Sequence, residues 1–218
     1  MFLAIDGILD AAMLAAVQTE AADLAFEDGA KTAGRFAHAV KANDQAVPCP
    51  ARDGLLAVVS RALQAHPVFA AAARVRAMTP LILSRYRTGQ TYGLHVDDAV
   101  MGGLRTDISF TLFLAEPDSY TGGALILEDS LEARAVKLAA GSVFLYPSTT
   151  LHRVDPVTAG TRLTVVGWVQ SQVRRADQRE ILFDLDQGIA ALHASGGKSA
   201  LFDSLCKTRS NLLRMWVE

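Results

Sequence analysis

The sequence predicts a mainly β fold, an antiparallel sandwich or barrel flanked by helices at both ends of the chain. Two observations carry this. From Pro80 to Gln170, short apolar runs of strand length are separated by Gly, Pro and Asp, and no helical stretch long enough for a parallel crossover lies between them. On either side of that region, apolar residues recur at the three- and four-residue spacing of one helix face.

Taken in order, Asp10 is placed to cap a helix over Ala11 to Ala25, with Leu9 and Leu14 as a hydrophobic staple across the cap. Gly29 to Pro50 is polar, with Lys41, Asn43 and Gln45 alternating as on one face of an extended segment. A second helix is expected over Ala51 to Ala65 from Leu55, Leu56, Val59 and Leu63, with Pro67 ending it. At least six strands are then expected, at Leu81 to Tyr86, Ile108 to Ala115, Ala124 to Leu127, Ser142 to Tyr146, Leu151 to Val154 and Arg162 to Gln170. Gly122-Gly123 reads as a turn, because a phosphate loop needs a following helix. Beyond Gln170, one stripe (Ile181, Leu182, Leu185, Ile189, Leu192), a break at Gly196-Gly197 and a second stripe (Leu201, Leu205, Leu212, Trp216) predict a helical hairpin. This divides the chain into a supporting region over 1–79, a β core over 80–172 and a helical hairpin over 173–218. Two apolar stripes of that size call for cover by the core, by a second copy in a homodimer, or by both.

The 218 residues carry 21 basic and 23 acidic side chains, a net charge of -2, which is the wrong sign for a protein held on nucleic acid by phosphate neutralisation. Half of the residues are hydrophobic, enough for a core and against disorder. The two cysteines, Cys49 and Cys206, are too far apart in sequence to suggest a CxxC site or a disulfide framework. The first thirty residues hold no Lys or Arg, and Asp6 interrupts the apolar start, so a secretory signal is not expected. No uncharged apolar run approaches the roughly 18 residues that span a bilayer. A cytoplasmic protein with no membrane or nucleic-acid partner is the expectation.

Chemistry concentrates at two of the five histidines. In an extended segment His95 and Asp97 point to the same side, a chelating spacing. His152 adds a second imidazole, and two imidazoles with one carboxylate leave coordination positions open, as in non-heme Fe(II) oxygenases; catalytic zinc is the alternative. Ten residues on comes Arg162. If it lies with His152 on paired strands of a hairpin, both point into one apolar barrel, where the arginine needs an anion. A 2-oxoglutarate meets that need, chelating iron at one end and accepting a bidentate bond from Arg162 at the other, and the formal charges of iron, Asp97, 2-oxoglutarate and Arg162 cancel. His38, His66 and His193 are expected at the surface or at helix ends. Arg105 and Asp107 read as a pair across the sheet. Lys41, Asn43 and Gln45 read as a solvated strand, with a substrate-facing role as the minority alternative.

A longer set of ordered motifs resembles the PKHD-type hydroxylases, bacterial prolyl/lysyl hydroxylase-like Fe(II)- and 2-oxoglutarate-dependent dioxygenases. These motifs are Asp28-Gly29, Thr32-Ala33-Gly34, Val40-Lys41, Arg85-Tyr86, Tyr92-Gly93-x-His95-Val96-Asp97, Arg105-Thr106-Asp107-x-Ser109, Tyr120-x-Gly122-Gly123, His152-Arg153-Val154, Gln170-Ser171 and Arg179 to Asp186. The resemblance implies a double-stranded β-helix, a jelly-roll core of cupin-like type, with N-terminal helices packed on it and a C-terminal helical appendage. It implies iron on His95, Asp97 and His152, 2-oxoglutarate on Arg162, and L-ascorbate as a supporting reductant. Tyr86, nine residues before His95, is similar in placement to a tyrosine that bonds the far 2-oxoglutarate carboxylate in relatives. The implied activity couples decarboxylation of 2-oxoglutarate to succinate and CO2 with O2-dependent hydroxylation of a small-molecule or peptide substrate, and a link to iron homeostasis rests on the resemblance alone. The competing readings are a cupin-like metal-binding or sensing protein without turnover and, more weakly, a zinc hydrolase.

Overall fold

The computed structural model describes residues 1–32, 37–128 and 132–218; Ala33 and Gly34 of the N-terminal motif lie outside them. The chain opens with β1 (Leu3–Ile5) and α1 (Ala11–Ala22), where Asp10 Oδ1 accepts from the Met13 amide at 2.8 Å, the N-cap the sequence predicts. Next come β2 (Phe26–Asp28), β3 (Lys41–Ala42) and β4 (Asp44–Ala46). Helix α2 (Pro50–Ala65) ends at His66, but Pro67 does not simply stop it. The proline stands at the first position of a further helix, α3 (Pro67–Ala73), where its missing N–H costs nothing.

Strands β5 (Val75–Met78), β6 (Ile82–Arg87), β7 (Thr91–His95), β8 (Val100–Met101), β9 (Leu104–Arg105) and β10 (Ile108–Phe113) follow. The β region is completed by β11 (Tyr120–Gly122), β12 (Leu125–Glu128), β13 (Ala133–Val136), β14 (Val143–Pro147), β15 (His152–Val154) and β16 (Val157–Ser171). All six expected runs are strands. They form two antiparallel sheets, a large one ordered β1-β14-β10-β16-β6-β4-β2 and a smaller one ordered β13-β12-β15-β7-β3. Facing each other, these are the jelly-roll, or double-stranded β-helix, with helical flanks.

Alternation along each strand divides the apolar residues between two cores. On the outer face of the large sheet, Leu83, Ile108, Phe110, Leu112, Leu145, Val165 and Val169 meet Val17 of α1, Leu55, Val59 and Leu63 of α2 and Phe69 of α3. Between the sheets, Phe113, Phe144 and Tyr146 meet Leu125, Leu127 and Val136. One expectation fails: β15 pairs β12 and β7, whereas β16 pairs β10, β6, β11 and β5, so His152 and Arg162 are not on a shared hairpin. After Val154 the chain turns through Asp155-Pro156 and crosses to the opposite sheet.

The hairpin beyond the core is α4 (Ala176–Gly196) and α5 (Ala200–Trp216). Its buried face differs from the predicted stripe: α4 buries Arg179, Leu182 and Phe183, while Ile181 is 50% exposed. No residue of α5 is buried. Among the described residues, no single helix is long and apolar enough to cross a membrane.

Candidate active site

Strand β7 and the turn after it carry His95 and Asp97, and β15 carries His152. The register aligns His152 with His95 across the small sheet. Their ligand atoms all lie within 4.8 Å of one another. Asp97 Oδ1 is 3.9 Å from His95 Nε2, and its Oδ2 is 3.8 Å from His152 Nε2. In both rings Nδ1 faces a backbone carbonyl two residues back, Gly93 O at 2.8 Å and Thr150 O at 3.0 Å. Donation there fixes the tautomer and leaves each Nε2 lone pair turned to the shared space. Burial, then the neighbouring His152, pulls the His95 pKa down to about 4, so its imidazole is neutral near pH 7.

Supporting groups lie directly behind these three. Ser109 Oγ of β10 donates to Asp97 Oδ2 at 2.5 Å and lies 2.8 Å from Ser148 Oγ, from which it accepts. Tyr92 stacks on His95 with ring centroids 3.7 Å apart, and Tyr146 meets His152 edge-on at 5.0 Å. Lys41 Nζ sits 5.1 Å above the Tyr92 ring, and burial pulls its pKa down to about 8. No role is read for Ser109 or Tyr146 from the sequence, although polar Ser109 inside the apolar run Ile108 to Ala115 is the kind of residue that signals one. Lys41, Asn43 and Gln45 do not form a solvated strand; they line the same cavity as the histidines.

That cavity has a volume of about 250 Å³, enough for a small organic acid. Deep in it stands Arg162, 1% exposed, on the inner face of β16 with Thr164, Val166 and Trp168. The register sets it opposite Tyr86 on β6, its guanidinium carbon 5.0 Å from the Tyr86 ring centre and 5.6 Å from that of Phe113. Its Nη1 donates to Thr164 Oγ1 at 3.2 Å, while its Nε is buried without a partner. Among the described residues no carboxylate pairs with it. The stem is seated by Gly123, at φ +64, where a Cβ would come within 3.2 Å of Arg162 Cδ and 3.1 Å of the Tyr120 ring.

The other residues singled out in the sequence stand apart. Arg105 makes a two-pronged contact with Asp107 at 2.8 and 3.1 Å, tying β9 to β10. His66 links α2 to α3, and His193 packs on Phe202 between α4 and α5.

Two imidazoles, a carboxylate and a buried guanidinium in one jelly-roll cavity define a class, and sequence comparison gives the same class. Residues 81–170 match the 2OG-Fe(II) oxygenase superfamily, and residues 177–218 match the PKHD-type hydroxylase C-terminal domain. The chain belongs to the PKHD-type hydroxylases, Fe(II)- and 2-oxoglutarate-dependent enzymes. It is 51% identical to a PKHD-type hydroxylase of Parvibaculum lavamentivorans over 219 residues, covering all of both chains. It is 51% identical to another from Maricaulis maris over 193 residues, 88% of each chain. Among solved structures, a Pseudomonas putida prolyl-4-hydroxylase superposes with TM-score 0.54 at 19% identity, over 78% of this chain and 92% of that one. A Trichoplax adhaerens prolyl hydroxylase, in complex with a hypoxia inducible factor peptide fragment, superposes with TM-score 0.57 at 16% identity, over 83% and 86%. Those two likenesses establish the fold.

Proposed function

We propose that His95, Asp97 and His152 are the iron ligands of this oxygenase and that Arg162, with Tyr86, anchors the far carboxylate of 2-oxoglutarate. One observation carries the reading: a guanidinium 1% exposed with no carboxylate partner among the described residues. Burying that charge alone is costly, and a dicarboxylate bound at the other end by the metal offsets it. The donor set fits a divalent metal with open positions, since both Nε2 atoms and Asp97 converge.

When bound, iron with O2 couples decarboxylation of 2-oxoglutarate, to succinate and CO2, with hydroxylation of a substrate C–H. The chain's own residues do the rest. His95 and His152 present their Nε2 atoms to the shared space, held by the carbonyls of Gly93 and Thr150. Ser109 orients Asp97. Arg162 fixes the acid by a charge-assisted fork, and Ile82, Leu125, Val154 and Val166 give the cavity apolar walls that limit water.

Several further readings rest on likeness and composition. The substrate is a small molecule or a peptide; a peptide is what the Trichoplax relative holds. L-Ascorbate serves as the supporting reductant, and a role in iron homeostasis is retained from the family resemblance. Free Cys49 and Cys206 fit a cytoplasmic setting. Residues 1–79 brace the catalytic core over 80–172, and 173–218 form an appended unit whose exposed Leu201 and Met215 fit a homodimer contact.

The test is a 2-oxoglutarate titration of the iron-loaded protein without O2, followed by its visible charge-transfer band, alongside succinate formation in air. Arg162→Ala should weaken 2-oxoglutarate by about 3 to 5 kcal/mol, roughly a hundredfold to several thousandfold, with metal binding intact. Arg162→Lys should fall between, since an ammonium keeps the charge but not the fork. Equal affinities in all three, or no succinate above free iron, would instead favour a cupin-like binder without turnover.

A further inference from the structure

Asn43 is 2% exposed and lines the cavity, yet both polar atoms of its side chain, Nδ2 and Oδ1, are buried without a partner in hydrogen-bond geometry. A structural amide in a core is normally satisfied by its neighbours, because leaving a buried donor or acceptor unmet costs about as much as losing a hydrogen bond. Here neither atom meets a partner at good geometry, although the Tyr86 phenol is within reach. Such a group is suited to a partner that enters the cavity.

Its position says which partner. Strand β4 pairs β6 with Asp44 opposite Arg85 and Gln45 opposite Ser84. Asn43 immediately precedes β4, so it stands at the end of that pairing nearest Tyr86, whose phenol its side chain reaches, and Tyr86 lies opposite Arg162 on the next strand. Burial raises the Tyr86 pKa, and Arg162 and then the Asn43 amide act against that rise, which agrees with their closeness to the phenol. The three side chains thus stand in one row from the start of β4 across β6 to β16, and all three line the cavity. Gly29 closes the other side of the amide: a Cβ there would sit 2.1 Å from Asn43 Oδ1. Only glycine leaves room for the oxygen, and Nδ2, across Cγ, is turned away from Gly29.

We propose that Asn43, seated by Gly29, is a third donor to the far carboxylate of 2-oxoglutarate, completing a row with Arg162 and Tyr86. This rests on the co-substrate assignment proposed above. A carboxylate accepts only, with about four lone-pair sites, so a guanidinium, a hydroxyl and an amide N–H can be met together. A neutral amide also adds a hydrogen bond without a second positive charge. A lysine there would upset the balance of iron, Asp97, 2-oxoglutarate and Arg162.

The test compares two five-carbon acids on the full chain loaded with Mn(II) in place of iron, by calorimetric titration without turnover. 2-Oxoglutarate has the far carboxylate; 2-oxopentanoate chelates in the same way and lacks it. Asn43→Ala should weaken 2-oxoglutarate about ten- to hundredfold, as expected for a hydrogen bond to a charged group, and leave 2-oxopentanoate within about twofold. Asn43→Asp should lose more than Asn43→Ala, because it sets a like charge beside the incoming one. Gly29→Ala should reproduce part of the loss with the amide still present. If Asn43→Ala does not fold, the isosteric Asn43→Asp answers the same question. 2-Oxoglutarate affinity within about twofold of wild type in the folded Asn43 variants overturns the proposal, and so does an equal loss for both acids, which would make Asn43 a support of the metal end. A wild-type protein that does not distinguish the two acids removes the Arg162 anchor itself, and this inference with it.

Discussion

The jelly-roll and the α4–α5 hairpin are held by different forces. In the barrel, Leu112, Val143, Val165 and Leu127 are fully buried, and the large sheet packs apolar side chains against both the helices and the smaller sheet. In the hairpin α5 buries nothing, and Leu201 and Met215 are 59% and 72% exposed. Beyond the apolar anchor of Leu182 and Phe183 on α4, it is fastened by charge. Asp186 of α4 accepts from Arg74 at 2.6 Å, and its other oxygen accepts from Arg209 of α5, so one carboxylate joins the end of α3 to both helices. Glu218 closes the far side, taking Arg76 on its carbonyl at 2.8 Å while its amide donates to Gln172 O. Apolar burial specifies the barrel broadly, whereas the hairpin depends on two apolar residues of α4 and a few directional contacts, each with more to lose.

Three substitutions probe that contrast. Leu112→Ala should cost the most, about 2 to 5 kcal/mol in urea denaturation, because the tightly packed sheet cannot collapse around the missing atoms. Asp186→Ala should come next, about 3 kcal/mol, since it leaves Arg74, with a side chain only 7% exposed, without its counter-charge. It should also open the α4–α5 connection to limited proteolysis while leaving the barrel resistant. A change under about 0.5 kcal/mol there would mean that apolar contact, not charge, fastens the hairpin. Met215→Gln should alter monomer stability by no more than about 0.5 kcal/mol; a larger loss that grows on dilution would reveal a second copy on that face.

Much of this architecture is legible in the residues. The strand-length runs fall on β6, β10, β12, β14, β15 and β16, because apolar alternation bounded by Gly, Pro and Asp is a local signal. The His95–Asp97 spacing is equally local, and the two side chains do meet. What is not local is lost. His152 and Arg162 share a cavity from opposite sheets, since the choice of partner for a strand after a turn is tertiary. Helix α3 is hidden because Pro67 signals a stop and a start alike, and His66 serves as cap to both helices. The charge that fastens the hairpin spans Arg74 and Asp186, 112 positions apart, a pairing no periodicity can show.

Strand β16 bonds with four other strands, among them β5 and β6 from before His95 and β10 from between His95 and His152. During synthesis, then, the large sheet lacks its keystone until the ribosome has released Ser171, and β6 and β10 stand with unmet edges through most of translation. Folding of the core is consequently a late and long-range event, of the high-contact-order kind that is slow and vulnerable to aggregation. The nascent chain cannot bring His95, Asp97 and His152 together until His152 has emerged, nor set Arg162 in the cavity until the strand that also closes the sheet is in place.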